Sequence, residues 1–181
     1  MENANFYIFT GGLGSGKSTV LDLLGNMGYR IVREVARDII RNQVKTRGDA
    51  LPWDNTVRYA RLMLLRSVVD FEEMAHVPTP CFFDRGIIDT LGYARLIDIP
   101  VTTCMEEAAR AYRYNRTVFL FPFWEEIYTR DAERKQEVEE ARRTFIALKK
   151  EYEHFGYQTI EVPLLSPSER AEWILGQISI R

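Results

Sequence analysis

The stretch from Gly11 to Ser18 has the residue types and the spacing of a phosphate-binding loop, GxxxxGK[ST]. Glycines in such a loop let backbone N–H groups approach phosphate oxygens, which side chains would otherwise block. Lys17 is expected to reach the β- and γ-phosphates as a catalytic residue, and Ser18 is expected to ligate Mg²⁺. The residues predicted to bind nucleotide are Gly11, Gly12, Leu13, Gly14, Ser15, Gly16, Lys17, Ser18 and Thr19. The sequence therefore predicts a site for ATP or GTP, with Mg²⁺ as its cofactor.

Asp84 follows a short hydrophobic run that begins at Cys81. A carboxylate at the end of such a strand holds the Mg²⁺ of many phosphate-loop proteins, so we predict Asp84 as a catalytic residue and a metal ligand. A helix cap or a salt-bridged loop acid is the alternative. Arg85 stands where hydrolysing ATPases commonly carry a glutamate that orients water, which favours phosphate transfer to another acceptor. Arg85 either binds that substrate or forms an internal ion pair.

Glu34 lies at the predicted end of a second strand, beside the phosphate loop. A carboxylate in that position can accept a proton from a substrate hydroxyl during phosphate transfer, so we predict Glu34 as a catalytic residue. Arg37, one helical turn later, is predicted to bind substrate in the same cleft. An acid in the first turn of a helix also stabilises the helix dipole, and a purely structural role for Glu34 therefore stays open.

The segment around Arg130 and Arg134 follows a fourth predicted strand. Small-molecule kinases carry a mobile lid at this point, whose arginines neutralise the migrating phosphoryl group. We predict both arginines as catalytic residues and a lid at about 124–143. Glu126 and Asp131 are spaced to pair with them along a helix, so surface ion pairs are the alternative.

Five short apolar runs alternate with helical patterns along the chain, which is typical of parallel strands joined by right-handed crossovers. The predicted strands are 6–10, 29–33, 81–83, 117–121 and 157–162, and the predicted helices are 17–28, 34–45, 54–75, 87–97, 103–114, 125–134, 136–154 and 168–178. We therefore expect an α/β fold with a parallel sheet covered on both faces, in one domain over residues 1–181. Ligands of such folds bind at the carboxyl ends of the strands, where the candidate residues converge.

Composition limits the classes of function that remain. The formal net charge is -2 among 181 residues, so a protein that coats nucleic acid is not expected. No apolar run approaches the length of a membrane span, and no basic and apolar leader opens the chain, so we expect a cytoplasmic protein. Cys81 and Cys104 are the two cysteines, and their spacing suggests neither a disulfide framework nor a zinc site.

Several longer segments resemble a known family, in order and over nearly the whole chain. They are GGLGSGKST, YRIVREVARDIIR, FFDRGIIDTLGYARL, FLFPFWEEIYTRDAERK and GYQTIEVP, followed by SERAEWIL. They resemble the small AAA-type ATPase-like family related to the ribosylnicotinamide kinase domain and to a GTP- and phosphoinositide-binding animal protein. The resemblance implies a nucleoside-kinase-like P-loop NTPase sheet of order 2-3-1-4-5. It also implies nucleotide on Gly12 to Thr19, magnesium at Asp84, and Arg130 and Arg134 over the phosphates.

Two functions are compatible with these features. One is a kinase that transfers the γ-phosphate of ATP to a hydroxyl of a nucleoside-like or other small metabolite, whose identity the residues leave open. The alternative is a regulatory module that binds ATP or GTP with slow or absent hydrolysis. No Asn-Lys-x-Asp tetrad follows the fourth or fifth predicted strand, which favours ATP, and the base is expected near Val162 to Ser166.

Overall fold

A central sheet of five parallel strands organises the molecule. The computed structural model describes residues 1–12, 14–124 and 134–179. The strands are β1 (Phe6–Gly11), β2 (Arg30–Val32), β3 (Cys81–Asp84), β4 (Thr117–Phe121) and β5 (Gln158–Glu161). Their order in the sheet is β2-β3-β1-β4-β5, and every neighbouring pair is parallel. This confirms the predicted α/β fold with the kinase-like order 2-3-1-4-5.

Helices connect the strands in the described part of the chain. They are α1 (Lys17–Asn26), α2 (Val35–Thr46), α3 (Thr56–Met74), α4 (Ile87–Leu96), α5 (Thr103–Ala111), α6 (Arg134–His154) and α7 (Pro167–Ser179). Each predicted helix outside 125–133 has its counterpart among them, with ends displaced by a few residues. Within the described residues, no helix combines the length and the apolar character needed to cross a membrane.

The sheet separates two hydrophobic cores because alternate residues of a strand point to opposite faces. On β1, Phe6 and Ile8 face a core that includes side chains of α3, α4, α5 and α6. Tyr7 and Phe9 face the second core, where α1 and α7 pack. All four of these strand residues are buried. Burial on both faces is what a continuous apolar run such as Phe6–Phe9 requires, and it fixes the strand rigidly beneath the loop that follows.

Two helix ends differ from the predicted ones for identifiable reasons. Helix α3 begins at Thr56 instead of residue 54, because the side chain of Asn55 caps it by accepting a hydrogen bond from the backbone N–H of Arg58. Helix α5 ends at Ala111 instead of continuing to Tyr114. The backbone of Arg113 instead pairs with the first residues of the chain, donating to the Met1 carbonyl at 2.7 Å and accepting from Asn3 at 2.9 Å.

Parallel strands bring the polar residues that follow them to one edge of the sheet. Gly11 ends β1 and Asp84 ends β3, while Glu34 lies two residues beyond β2. The strands β3 and β1 are adjacent, with Phe9 opposite Asp84. The carboxyl edge of the sheet therefore carries the phosphate-loop sequence, Asp84 and Glu34 together.

Candidate active site

The phosphate loop leaves β1 through two glycines that no other residue could replace without movement. Gly11 has a φ of 134°, and a Cβ at this position would lie 2.2 Å from the carbonyl oxygen of Phe121. A Cβ on Gly12 would lie 2.8 Å from the carbonyl oxygen of Ala141. Ala141 belongs to α6, so this helix crosses the loop at close range. Leu13, predicted to bind nucleotide, lies outside the described residues.

Lys17 opens α1 and is almost fully buried, at 7% exposed. Its Nζ donates hydrogen bonds to the carbonyl of Gly12 at 2.9 Å, the hydroxyl of Ser15 at 3.1 Å and the carbonyl of Gly11 at 3.3 Å. Burial and, to a smaller extent, the nearby Arg85 lower the pKa of Lys17 to about 8, against the opposing effect of three carboxylates. Ser18 and Thr19, the last of the predicted nucleotide-binding residues, are exposed on the first turn of α1.

The three carboxylates that act on Lys17 are Asp84, Glu34 and Asp89. Two of them, Asp84 and Glu34, are residues that the sequence singled out as catalytic. Because their charges reach the lysine, the structure brings the ends of β1, β2 and β3 into one electrostatic cluster.

Asp84 sits at the end of β3 and is 7% exposed. Burial raises the pKa of its carboxyl, while Lys17 opposes this rise. Its Oδ1 atom is buried and has no hydrogen-bond partner among the described residues. A buried carboxylate oxygen without a partner is costly unless a cation or a donor approaches it, and Mg²⁺ prefers such hard oxygen ligands. The local environment of Asp84 therefore fits the predicted metal ligand.

Arg85 forms an internal ion pair, the second of the two roles that the sequence left open. Its Nε donates to Oε1 of Glu34 at 2.8 Å, and both side chains are largely shielded, at 16% and 19% exposed. The backbone of Arg85 adopts a positive φ of 71°, and its N–H donates to the carbonyl of Phe9 at 2.9 Å. This unusual backbone turns the side chain from the end of β3 towards Glu34.

Asp89, on the first turn of α4, completes the cluster and was not predicted from the sequence. It is 3% exposed and accepts hydrogen bonds from Thr10, Arg85, Tyr152 and the backbone of Gly86. A local signal for Asp89 is present in residues 84–89, whose sequence is Asp-Arg-Gly-Ile-Ile-Asp. An acid four residues after an arginine is spaced to pair with that arginine where the chain is helical.

Arg170 is the other site residue that sequence reasoning missed. It belongs to α7, is 1% exposed, and donates from Nη1 to the carbonyl of Ser15 and from Nε to the carbonyl of Pro163, both at 2.9 Å. Its guanidinium lies 4.6 Å from the ring centre of Trp124. Arg170 thus ties the phosphate loop to the segments after β4 and β5. Arginine is common in helices, and nothing local in Ser-Glu-Arg-Ala distinguishes this one.

A cleft of about 670 Å³ opens beside the cluster, between α2, α3, α4 and α6. Its polar lining includes Glu34, Arg37, Arg85, Asp89, Glu139 and Arg143, and its apolar lining includes Ile40, Tyr59, Met63, Tyr93, Leu96 and Leu148. The rings of Tyr59 and Tyr93 meet edge to face at 5.8 Å. Burial raises the pKa of Tyr59 to about 12, so its hydroxyl keeps its proton at neutral pH.

The structure places the two remaining groups of predicted residues differently. Arg37 lines the cleft, with Nε 3.8 Å from Oε2 of Glu34, but its side chain is 71% exposed. Arg130 lies outside the described residues, as do the other residues of 125–133. Arg134 is the first residue of α6, and its side chain is not described.

The strand order, the glycine loop at the end of β1 and the carboxylate at the end of β3 define a P-loop NTPase fold with the kinase-like strand order. The chain belongs to the AAA domain family, whose model matches residues 6–170. This agrees with the small AAA-type family that the sequence resembles. A comparison with curated proteins found no match.

Three kinases are among the solved structures with a similar fold. A deoxyadenosine kinase from M. mycoides with the products dCMP and a flexible dCDP bound is 16% identical at a TM-score of 0.64, with 97% of this chain and 100% of that one covered. Thymidylate kinase from Ehrlichia chaffeensis is 14% identical at 0.60, with 96% and 97% covered. Shikimate kinase from Acinetobacter baumannii in complex with shikimate is 19% identical at 0.50, with 96% and 91% covered. At these identities the likeness concerns the fold alone.

Proposed function

We propose that this protein is a small-molecule kinase that uses ATP and Mg²⁺ to phosphorylate a hydroxyl of a nucleoside-like acceptor. The observation that carries the proposal is that Glu34 and Arg85 connect the cleft with the phosphate loop. These two residues line the cleft, and their charges act on Lys17 in the loop. A donor site and a pocket of acceptor size are therefore joined at one carboxylate.

The donor half of the proposed site consists of the loop, Lys17, Ser18 and Asp84. Backbone N–H groups at the start of α1 and the Nζ of Lys17 would bind the β- and γ-phosphates. Ser18 and Asp84 would hold Mg²⁺, which neutralises charge on the phosphates when bound. The described part of the chain contains no group of three or more acidic, His or Cys ligands, and Mg²⁺ ordinarily needs one or two protein oxygens besides phosphates and water.

In the acceptor half, Glu34 would take the proton of the acceptor hydroxyl. The hydroxyl oxygen forms a bond to the γ-phosphorus while the bond from that phosphorus to the β-γ bridging oxygen breaks, so that ADP leaves. The proton passes to the Glu34 carboxylate, which Arg85 holds at 2.8 Å. We propose that Arg37 steers the acceptor from the rim, and that Arg130 and Arg134 neutralise the transferred group from a lid at about 124–143.

The lining of the cleft supports an acceptor with a ring. Tyr59, Tyr93 and Met63 offer apolar surface to a ring, and the tyrosines also carry hydroxyls that can form hydrogen bonds. The similar structures are named as kinases of deoxyadenosine, thymidylate and shikimate, all of them ring compounds with a phosphorylatable group. Nucleosides are therefore the first acceptors to test.

The proposal is tested by incubating the protein with γ-labelled ATP, Mg²⁺ and a panel of deoxyadenosine, thymidine, thymidylate, ribosylnicotinamide, shikimate and sugars. We expect label on at least one acceptor. Glu34→Gln should lower kcat by about 100-fold or more, because it removes the base, while ATP affinity is retained. Glu107→Gln, at an exposed acid on α5, is the matched control and should have no effect. ATP binding without labelling of any acceptor would contradict the kinase and favour the nucleotide-binding module.

A further inference from the structure

Asp89 is a buried carboxylate on which hydrogen bonds from several elements converge. Its Oδ1 accepts from the hydroxyl of Thr10 at 2.5 Å and from Nη1 of Arg85 at 3.2 Å. Its Oδ2 accepts from the hydroxyl of Tyr152 at 2.5 Å and from the backbone N–H of Gly86 at 2.8 Å. The donors come from β1, the turn after β3, and α6, so one side chain links three segments around the site.

The three side chains that donate to Asp89 belong to segments that contact or adjoin the proposed donor site. Thr10 immediately precedes the phosphate loop, and Arg85 immediately follows the proposed metal ligand Asp84. Tyr152 is fully buried on α6, the helix that crosses the loop at Gly12. Asp89 therefore contacts the residue before the loop, the residue after Asp84 and a tyrosine of α6.

The guanidinium of Arg85 is held between two carboxylates. Nε bonds Glu34 and Nη1 bonds Asp89, and Arg85 is 16% exposed at its side chain. A planar guanidinium group that is bonded on two sides has little rotational freedom. The bond to Asp89 therefore fixes the orientation in which Arg85 meets Glu34. Among the described residues, the Nε bond to Glu34 would be the only remaining side-chain hydrogen bond of Arg85 without Asp89.

We propose that Asp89 is a positioning residue, which orients Glu34 for proton transfer by fixing Arg85. The inference rests on the proposed function of Glu34 for its catalytic consequence, but the positional part of it can be measured without turnover. Asp89 accepts a hydrogen bond from Arg85, and through this arginine it would act on the geometry of Glu34. A misplacement of about 1 Å in such an arrangement is enough to lower a rate about 100-fold.

The first test measures the hydrogen bond of Arg85 directly by NMR. The Nε–H signal of Arg85 is identified by its absence in Arg85→Lys, and its exchange with water is measured in the wild type and in Asp89→Asn. The side-chain amide of asparagine has the same size as the carboxylate of Asp89, but it carries no charge and has fewer acceptor positions. We expect exchange to become at least about tenfold faster in Asp89→Asn. Unchanged exchange in a folded Asp89→Asn protein would overturn the proposal.

A milder variant covers the case in which Asp89→Asn does not fold. Tyr152→Phe removes one donor to Asp89 and should quicken exchange at Arg85 by a smaller factor. Tyr112→Phe is the matched control, because it removes a tyrosine–carboxylate hydrogen bond of 2.6 Å to Glu72 at an exposed site. Equal exchange rates in these two variants would also count against the proposal.

The second test separates positioning from general stabilisation, with deoxyadenosine and ATP as probes. Asp89→Asn should lower kcat about 100-fold while the KM for ATP changes by less than about threefold. Parallel loss of kcat and of ATP affinity would indicate a merely structural role and overturn the inference. If the wild type phosphorylates no acceptor, the proposed function fails, and the NMR result alone decides whether Asp89 holds Arg85.

Discussion

At the scale of single residues, the site is a set of charges that depend on each other. The pKa of Lys17 is shifted by the charges of four nearby residues, which are Arg85, Asp84, Glu34 and Asp89. Lys17 is buried and Arg85 is largely shielded at the end of the sheet, and the charges of three carboxylates act on both cations. An anionic nucleotide would meet a lysine that has been stripped of water and is held by loop carbonyls.

The pH dependence of nucleotide binding follows from the lowered pKa of Lys17. Burial brings this pKa from 10.5 to about 8, so the free protein loses the lysine charge as pH rises through about 8. Phosphate binds the charged form, and affinity for ATP without Mg²⁺ should therefore fall towards tenfold per pH unit above that point. Fluorescent ATP analogues titrated between pH 7 and 9.5 would measure the fall.

Lys17→Arg supplies the control for this experiment. Arginine stays charged throughout the range, so whatever affinity this variant retains should not vary with pH. The same decline in Lys17→Arg as in the wild type would show that another group, and not Lys17, is responsible.

Asp84 is expected to matter for nucleotide binding only when Mg²⁺ is present. Asp84→Asn removes the charge of a carboxyl group whose buried Oδ1 has no hydrogen-bond partner among the described residues. Affinity for ATP with Mg²⁺ should fall at least about tenfold, as is typical when groups around a bound metal are altered. Affinity in EDTA should be retained or rise, because a negative charge near the phosphates is lost. An equal loss in Mg²⁺ and in EDTA would contradict the metal role.

At the scale of elements, the last two described helices, α6 and α7, hold the phosphate loop. Helix α6 approaches the backbone of Gly12, and Arg170 of α7 bonds the carbonyl of Ser15. The loop thus has one support on each side of the sheet. Its conformation depends on tertiary contacts as well as on its glycines.

Arg170→Met tests the support from α7. Methionine fills a similar volume and removes the hydrogen bonds to Ser15 and Pro163, each worth about 1.5–3 kcal/mol for a charged donor. We expect ATP affinity to fall about tenfold as the loop loses its support. Arg113→Met is the control, because Arg113 is half-buried and its guanidinium lies 4.1 Å from the ring centre of Tyr157, away from the loop. If both variants bind ATP equally well, Arg170 does not support the loop.

The elements were largely predictable from the sequence, whereas the polar network was not. Runs such as Cys81–Phe83 and Thr117–Phe121 are apolar throughout, because both faces of the sheet are covered. Asp84 and Glu34 were found because they follow such runs. Asp89 has a local signal only in its spacing from Arg85, whereas the pairings of Asp89 with Tyr152 and of Arg170 with Ser15 span 63 and 155 residues, and no local pattern encodes them.

At the scale of the whole molecule, the fold gathers the loop and the cleft at one edge of the sheet. The loop lies at the end of β1, the central strand of the order β2-β3-β1-β4-β5, and the cleft lies over α2, α3, α4 and α6. Glu34 and Arg85 lie where the two regions meet. The central claim is that these regions are the donor and acceptor halves of one site.

Transfer of labelled γ-phosphate by Ala36→Trp tests this claim most directly. Ala36 lines the cleft on α2, so an indole there would occupy acceptor space without touching the loop sequence. Val44→Trp, 59% exposed on the same helix, is the matched control. The account predicts that the wild type and Val44→Trp transfer phosphate to the same acceptor, while Ala36→Trp binds ATP normally and transfers at least about 100-fold more slowly. Transfer by Ala36→Trp at the wild-type rate would contradict it.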